Sequence, residues 1–289
     1  MVGYYGVKLA GWLLCHVPQG VRRTAAAALG KMAVWGCPRW RLQMAAANVE
    51  ECLQVDSRTA RQIAEESMQR FGRMAVEVLC FPLLNRNNID ELVQVEGLEN
   101  LQRAYAEGRG VVMTTGHFGN WELLGTVVAL HGYPLLSIAR RQNQGDMDRF
   151  INEYRSLSGQ KIVYNHGENN LLTVVRALKQ RQLVGVIYDQ DTGAGKVRLP
   201  FFGKESAFPD GAAALGRMNK APIVPIFIHN NPDGTLRAKV YAPLYCAGKD
   251  DYGRVMGELV QILEQEIRSD PAMWFWVHDR WKDGRRRFL

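Results

Sequence analysis

A chain of 289 residues that is 47% hydrophobic has the length and apolar content for one large domain or two small ones, which excludes an intrinsically disordered protein. Its 36 basic and 29 acidic residues leave a formal charge of +7, but no zinc-finger, helix-turn-helix or RNA-binding signature directs that charge, so nucleic acid is not an expected partner. The five cysteines (15, 37, 52, 80 and 246) form no close pair and no metal-ligand spacing; they read as reduced thiols, and nothing calls for a metal or cofactor.

The first forty residues are apolar and basic. Residues 4–17 are apolar apart from Lys8 and His16, and residues 24–37 apart from Lys31; Arg22, Arg23, Arg39 and Arg41 flank them, with Trp12, Trp35 and Trp40 nearby. There is no cleavable signal and no uncharged run of about 18 apolar residues that would span a bilayer unaided. Two readings stand. Tryptophan and arginine edges suit helices lying in, or shortly anchored to, an anionic headgroup region; a buried helical hairpin would carry the same apolar content. We expect residues 1–40 to form membrane-associating helices and residues 41–289 the main domain.

Between residues 56 and 84, Ile63, Ala64, Met68, Phe71, Met74, Ala75, Val78 and Leu79 recur at three- and four-residue steps, a helical period that Pro82 and the polar 85–88 stretch break. Apolar and helical runs then alternate. VVMTT (111–115) leads to a helix from Trp121 with Asn120 as its cap; PLLSIA precedes a helix over 147–157; KIVY precedes one over 169–179; LVGVIY precedes one over 211–219; IVPIFIHN follows. Residues 236–241 read as an added edge strand, and MWFWVHDRW as a buried strand. Such alternation predicts an α/β fold with a mostly parallel sheet flanked by helices.

Ligands of open α/β sheets collect beyond the carboxyl ends of the strands. His117, Arg140 with Arg141, and Asp189 with Asp191 fall there. His117 is followed five positions later by Glu122. A continuous helix would splay such positions by about 140°, but a glycine-bearing loop over 116–119 lets His117 fold back onto Glu122 in the first helical turn. A carboxylate on one ring nitrogen fixes the tautomer and leaves the other as a proton acceptor, the arrangement of a general base acting on a hydroxyl. The spacing alone is common in a chain with six histidines and 29 acidic residues: His278 and Asp283 share it, without a strand before them or a glycine loop around them.

The other residues divide between plain and functional readings. Arg140 and Arg141 mark a solvated helix approach or hold a phosphate or carboxylate. Asp189 and Asp191 supply turn and cap chemistry or belong to the site. Phe201, Phe202 and Phe208 line an acyl-chain groove from an exposed loop, or pack beneath it. The basic run RWKDGRRR over 280–287 is a solvated surface, or attracts anionic lipid headgroups or an acidic carrier protein.

Together these features resemble the lauroyl and myristoyl acyltransferases of lipid A biosynthesis, within the wider glycerolipid acyltransferase superfamily. The resemblance spans nearly the whole chain: the apolar N-terminus, RLQMAAAN over 41–48, His117 with Glu122, Arg140, Arg155 with Gly159, Asp189-Gln190-Asp191, Phe201-Phe202-Gly203, Gly211, APIVPIF, and Trp276 through Lys282. Arg141 departs from the family, standing where a proline is expected. The EGTR-like motif of glycerol-phosphate acyltransferases is absent, which favours a saccharolipid acceptor.

The resemblance implies transfer of a fatty acyl group from acyl carrier protein to a hydroxyl of a lipid A precursor, at the cytoplasmic face of the inner membrane. His117 would be the base, oriented by Glu122, with Arg140, Arg141, Arg155, Asp189, Asp191, Phe201, Phe202 and Gly203 around the substrates. Loop amides over 116–120, or Arg140, would stabilise the oxyanion. A lysophospholipid or another glycolipid is the alternative acceptor, and a non-catalytic membrane-binding protein the alternative of another class.

Overall fold

The computed structural model describes residues 2–142, 144–165, 170–191, 197–231 and 235–282. Its helices are α1 (Val2–Cys15), α2 (Gln19–Gly36), α3 (Arg39–Leu53), α4 (Ser57–Leu79), α5 (Ile89–Leu92), α6 (Leu98–Ala106), α7 (Trp121–Leu130), α8 (Gly145–Ser156), α9 (Asn170–Lys179), α10 (Gly211–Asn219) and α11 (Tyr252–Ser269). Its strands are β1 (Val93–Glu96), β2 (Val111–Thr115), β3 (Leu135–Ala139), β4 (Lys161–Tyr164), β5 (Leu183–Ile187), β6 (Val197–Phe201), β7 (Lys204–Phe208), β8 (Ile223–Asn230) and β9 (Leu236–Val240).

Seven strands form one sheet in the order β1-β9-β8-β2-β5-β3-β4. Only the β8–β9 pairing is antiparallel. This is the expected mostly parallel α/β sheet with helices on both faces. Alternation along the strands feeds two cores: Val112, Val184, Ile223 and Phe227 face one, while Val111, Met113, Leu183, Val224, Ile226 and Ile228 face the other. Burial on both sides explains why β2 and β8 read as continuous apolar runs.

Helix α4 starts at Asp56, whose carboxylate accepts from the amides of Arg58 and Thr59 at 3.0 Å each. It ends at Leu79, and a single 3-10 turn over Phe81–Leu83 carries the chain past Pro82. Helix α2 lies against α4 through two glycines: a Cβ on Gly30 would come within 2.7 Å of the Gln69 carbonyl oxygen, and one on Gly72 within 2.8 Å of Gly30 Cα. The N-terminal helices are therefore neither a sealed hairpin nor detached. Tyr4 of α1 is buried, yet Leu9, Trp12, Leu13, Met32 and Trp35 stay exposed, Trp35 at 89%. Among the described residues, no helix is long and apolar enough to cross a membrane.

Three expectations change. Residues 236–241 do not form an edge, because β1, too short to be noticed in the sequence, pairs with β9 on its outer side. The stretch around Trp274 is not a strand. It is a 3-10 turn over Pro271–Met273, then one antiparallel bridge, Phe118 with Trp274, and then successive turns. The aromatic loop is a β6–β7 hairpin whose turn, Phe202–Gly203, has φ of 52° and 75°.

Candidate active site

The sheet register brings the site together. Strands β2 and β5 pair in parallel with Thr115 opposite Ile187, so residue 117, two beyond the end of one strand, meets residue 189, two beyond the other. His117 Nδ1 lies 2.7 Å from Asp189 Oδ1, and the His117 amide donates to Asp189 Oδ2 at 2.8 Å. Trp274 Nε1 donates to the same Oδ2 at 2.8 Å. Asp189 is 1% exposed. Burial pushes its carboxyl up, but the His117 charge and the donors from His117 and Trp274 outweigh that and bring it down to about 2. A carboxylate so held carries charge at neutral pH and fixes the imidazole with Nδ1 as its donor. Nε2 is then the acceptor; it has no hydrogen-bond partner among the described residues, and the His117 side chain is 22% exposed.

The predicted hydrogen bond from His117 to Glu122 is not formed. Glu122 instead takes both prongs of a guanidinium: Arg155 Nε to Oε2 at 2.7 Å and Nη2 to Oε1 at 2.6 Å, with each side chain 14% exposed. Burial alone would lower the Arg155 pKa, but Glu122 raises it above its usual value. The physical reason is competition. Two parallel charge-assisted bonds to a planar fork outbid one bond to an imidazole that already has Asp189.

The loop carrying His117 is held from both sides. The Gly119 amide donates to the Met273 carbonyl at 2.8 Å, and the Phe275 amide to the His117 carbonyl at 3.0 Å. Gly119 has φ of +60°, and a Cβ there would sit 2.2 Å from the Ile228 carbonyl oxygen, so glycine is required. Asn120 caps α7 as expected, accepting from the Leu123 amide at 2.9 Å, and donates to Glu77 Oε2 at 2.6 Å. Burial pushes the Glu77 carboxyl up, against that donor and Arg73 and Arg70. Because the amides of His117 and Gly119 are spent within the fold, they cannot serve as the expected oxyanion donors.

Two clefts meet at Trp121, the neighbour of His117, and His117 itself lines neither. Trp121, whose ring packs edge-on against the imidazole with centroids 4.9 Å apart, lines both. One cleft, under α7, has Ile138, Val186 and Ile187 on its walls and the Glu122–Arg155 pair within it. The other, against α4, is lined by Phe71, Phe275, Arg70 and Arg73.

The remaining sequence-predicted residues are scattered. Arg140 is exposed at the end of β3, and the exposed Arg141 lies over the Tyr164 ring at 5.5 Å. Asp191 binds Lys282 at 2.5 Å. Phe201 and Phe208 are fully buried and Phe202 is 9% exposed, packed with Trp274, Trp276 and Trp281 rather than open to a groove. Gly203 is the exposed tip of the hairpin. Sequence reasoning missed Trp274, which it placed in the core alone. It also missed the nearness of His278 and Arg280, whose pKa values burial lowers and which feel the charge of Asp189. The tryptophan density of MWFWVHDRW was the available signal. Asp283, the partner that the His278 spacing suggested, lies outside the described residues, as do Arg285, Arg286 and Arg287.

Comparison with known proteins adds to this geometry. Residues 2–283 match the model of a family described as bacterial lipid A biosynthesis acyltransferase. The chain is 28% identical over 274 residues to the lipid A biosynthesis palmitoleoyltransferase of Escherichia coli, covering 94% of this chain and 88% of that protein. It is 24% identical over 275 residues to the lipid A biosynthesis lauroyltransferase of the same organism, with the same coverage. A phosphatidylinositol mannoside acyltransferase of Mycobacterium tuberculosis is 26% identical over 219 residues, 74% of this chain and 69% of that protein.

Proposed function

We propose a reaction from one premise: the chain belongs to the bacterial lipid A biosynthesis acyltransferase family and is an acyltransferase. The reaction is transfer of a fatty acyl group from an acyl carrier protein thioester to a hydroxyl of a lipid A precursor. The observation that carries it is His117 with Nδ1 on buried Asp189 and Nε2 without a hydrogen-bond partner among the described residues. An alkanol gives up its proton far above the usual histidine pKa of about 6.5, so the base must take it as the oxygen attacks, a role worth about 10²- to 10⁴-fold. His117 Nε2 removes the hydroxyl proton; the new C–O bond forms as the C–S bond breaks, and the proton passes on to the departing thiolate. No covalent acyl-enzyme is needed.

Asp189 takes the orienting role first expected of Glu122. Glu122, through Arg155, shapes the cleft beside Trp121. We assign the acyl chain to the cleft walled by Ile138, Val186 and Ile187, and polar parts of the substrates to the arginine-bearing cleft against α4. Residues 1–40 seat the protein on an anionic bilayer, at the cytoplasmic face of the inner membrane, through the exposed apolar side chains of α1 and α2. Residues 41–289 carry the chemistry.

The test is purified enzyme with a panel of acyl carrier protein thioesters of different chain length, each offered a 3-hydroxyacyl lipid A precursor. His117→Ala is expected to lose turnover while keeping its circular dichroism; full activity in that variant overturns the reading. A second acceptor class has support from the mannoside acyltransferase among the relatives. Faster turnover of a glycolipid or lysophospholipid in the same panel would select it.

A further inference from the structure

We infer that Trp274 is a positioning residue for this acyl transfer, its indole N–H fixing Asp189 so that the carboxylate presents one oxygen to His117 and is restrained as a proton trap. The inference rests on His117 being the base. Asp189 has three donors for two oxygens: Oδ1 faces the imidazole, while Oδ2 takes the His117 amide and the indole. Without the indole, Oδ2 keeps a single bond, to the residue that Asp189 is meant to orient. The carboxylate plane then loses its only anchor outside that residue among the described hydrogen bonds.

Trp274 can serve as an anchor because it has one place to point. It is 2% exposed, its ring lies among Phe201, Trp276 and Trp281, and its carbonyl accepts from Ser67 Oγ on α4 at 2.5 Å. The residues on either side of it bond the backbone of the reactive loop, Met273 to Gly119 and Phe275 to His117. The segment 273–275 thus holds the base by its main chain and the base's carboxylate by a side chain.

The chemical consequence has a sign. A hydrogen bond to Oδ2 draws negative charge away from Oδ1, so the carboxylate grips an imidazolium proton less tightly. Removing that bond strengthens the grip, and the base then stays protonated to higher pH. The other ionisable groups around the pair are Tyr188 and Asp191 at the end of β5 and His278 and Arg280 on the C-terminal run; on α7, Glu122 is neutralised by Arg155. None of these is altered by a change confined to the indole nitrogen.

The experiment is Trp274→Phe in the full-length enzyme, assayed with the thioester and acceptor giving the highest turnover in the panel. We expect kcat to fall about 10- to 100-fold with KM unchanged, and the acid limb of kcat/KM to move about half a unit or more to higher pH. Trp276→Phe is the control, since that indole is as buried but donates to the Pro271 carbonyl at 2.7 Å instead; its acid limb should stay in place. Ser67→Ala, which frees the Trp274 carbonyl but keeps the indole, should shift the limb the same way by less, and serves if Trp274→Phe does not fold. The proposal is overturned if folded Trp274→Phe matches the wild type in kcat and limb, if Ser67→Ala does so where Trp274→Phe does not fold, or if Trp276→Phe moves the limb equally. His117→Ala is run alongside: activity there defeats the base reading itself, whereas an inactive His117→Ala beside an unaffected Trp274→Phe defeats the positioning role alone.

Discussion

Glu122 and Arg155 satisfy each other with 14% of each side chain exposed, so neither can be lost singly without leaving a largely desolvated charge unmatched. Glu122→Ala is expected to lower unfolding free energy by about 3–5 kcal/mol, measured by urea titration, whereas Glu122→Leu combined with Arg155→Met should regain most of it. Both residues of the His117–Asp189 pair were legible in the sequence as strand-end residues. Their meeting was not, because it depends on β2 and β5 being neighbours across 72 residues of chain, and no local pattern encodes strand order. The five-residue spacing pointed from His117 to Glu122, whereas the carboxylate bonded to the imidazole is Asp189 and Glu122 is bonded to Arg155.

Among the elements, the β2–α7 connection is the least tolerant of change. Gly119→Ala puts a methyl group into the backbone of β8 and forces an alanine to a left-handed φ; it should cost at least about 1–3 kcal/mol and abolish turnover, read from thermal melting and kinetics together. Long periodic elements were visible beforehand, α4 and β8 above all. The β6–β7 hairpin was not, since Pro200 and the glycine at 203 disguise a strand pair whose inward positions, Phe201 and Phe208, are core. Residues 274–281 misled in the opposite sense. Their apolar density comes from packing aromatic rings behind the site, not from membership of a sheet.

For the molecule as a whole, acid is the informative stress. Asp189 and Glu266 both sit at about 2: burial raises each, but His117 in one case and His229 with Tyr241 and Lys239 in the other bring it down. A depressed carboxylate contributes stability that is fully present above its unfolded value, here 3.8 and 4.5, and is lost as pH falls through about 2. The urea midpoint should therefore hold steady from neutrality to about pH 5 and decline steeply below about pH 4; Glu266→Gln should flatten part of that decline. Replacing Trp12 and Trp35 by serine should cut sedimentation with anionic vesicles at least about tenfold, and raised salt should weaken what binding remains.

Helix α4 touches the N-terminal pair along one flank, through Gly72, and on another flank carries Ser67, Phe71 and Glu77 to the segment and cap that frame the imidazole. At 23 residues it is about 34 Å long. On the proposed seating by α1 and α2, the imidazole of His117 is set off from the lipid plane by a single rigid rod, and the depth at which an acceptor must rise to meet it becomes a property of that rod's length and tilt. Altering the α2–α4 crossing, as Gly72→Leu would, should change which lipid-borne hydroxyl comes within reach before it changes the chemistry performed on it.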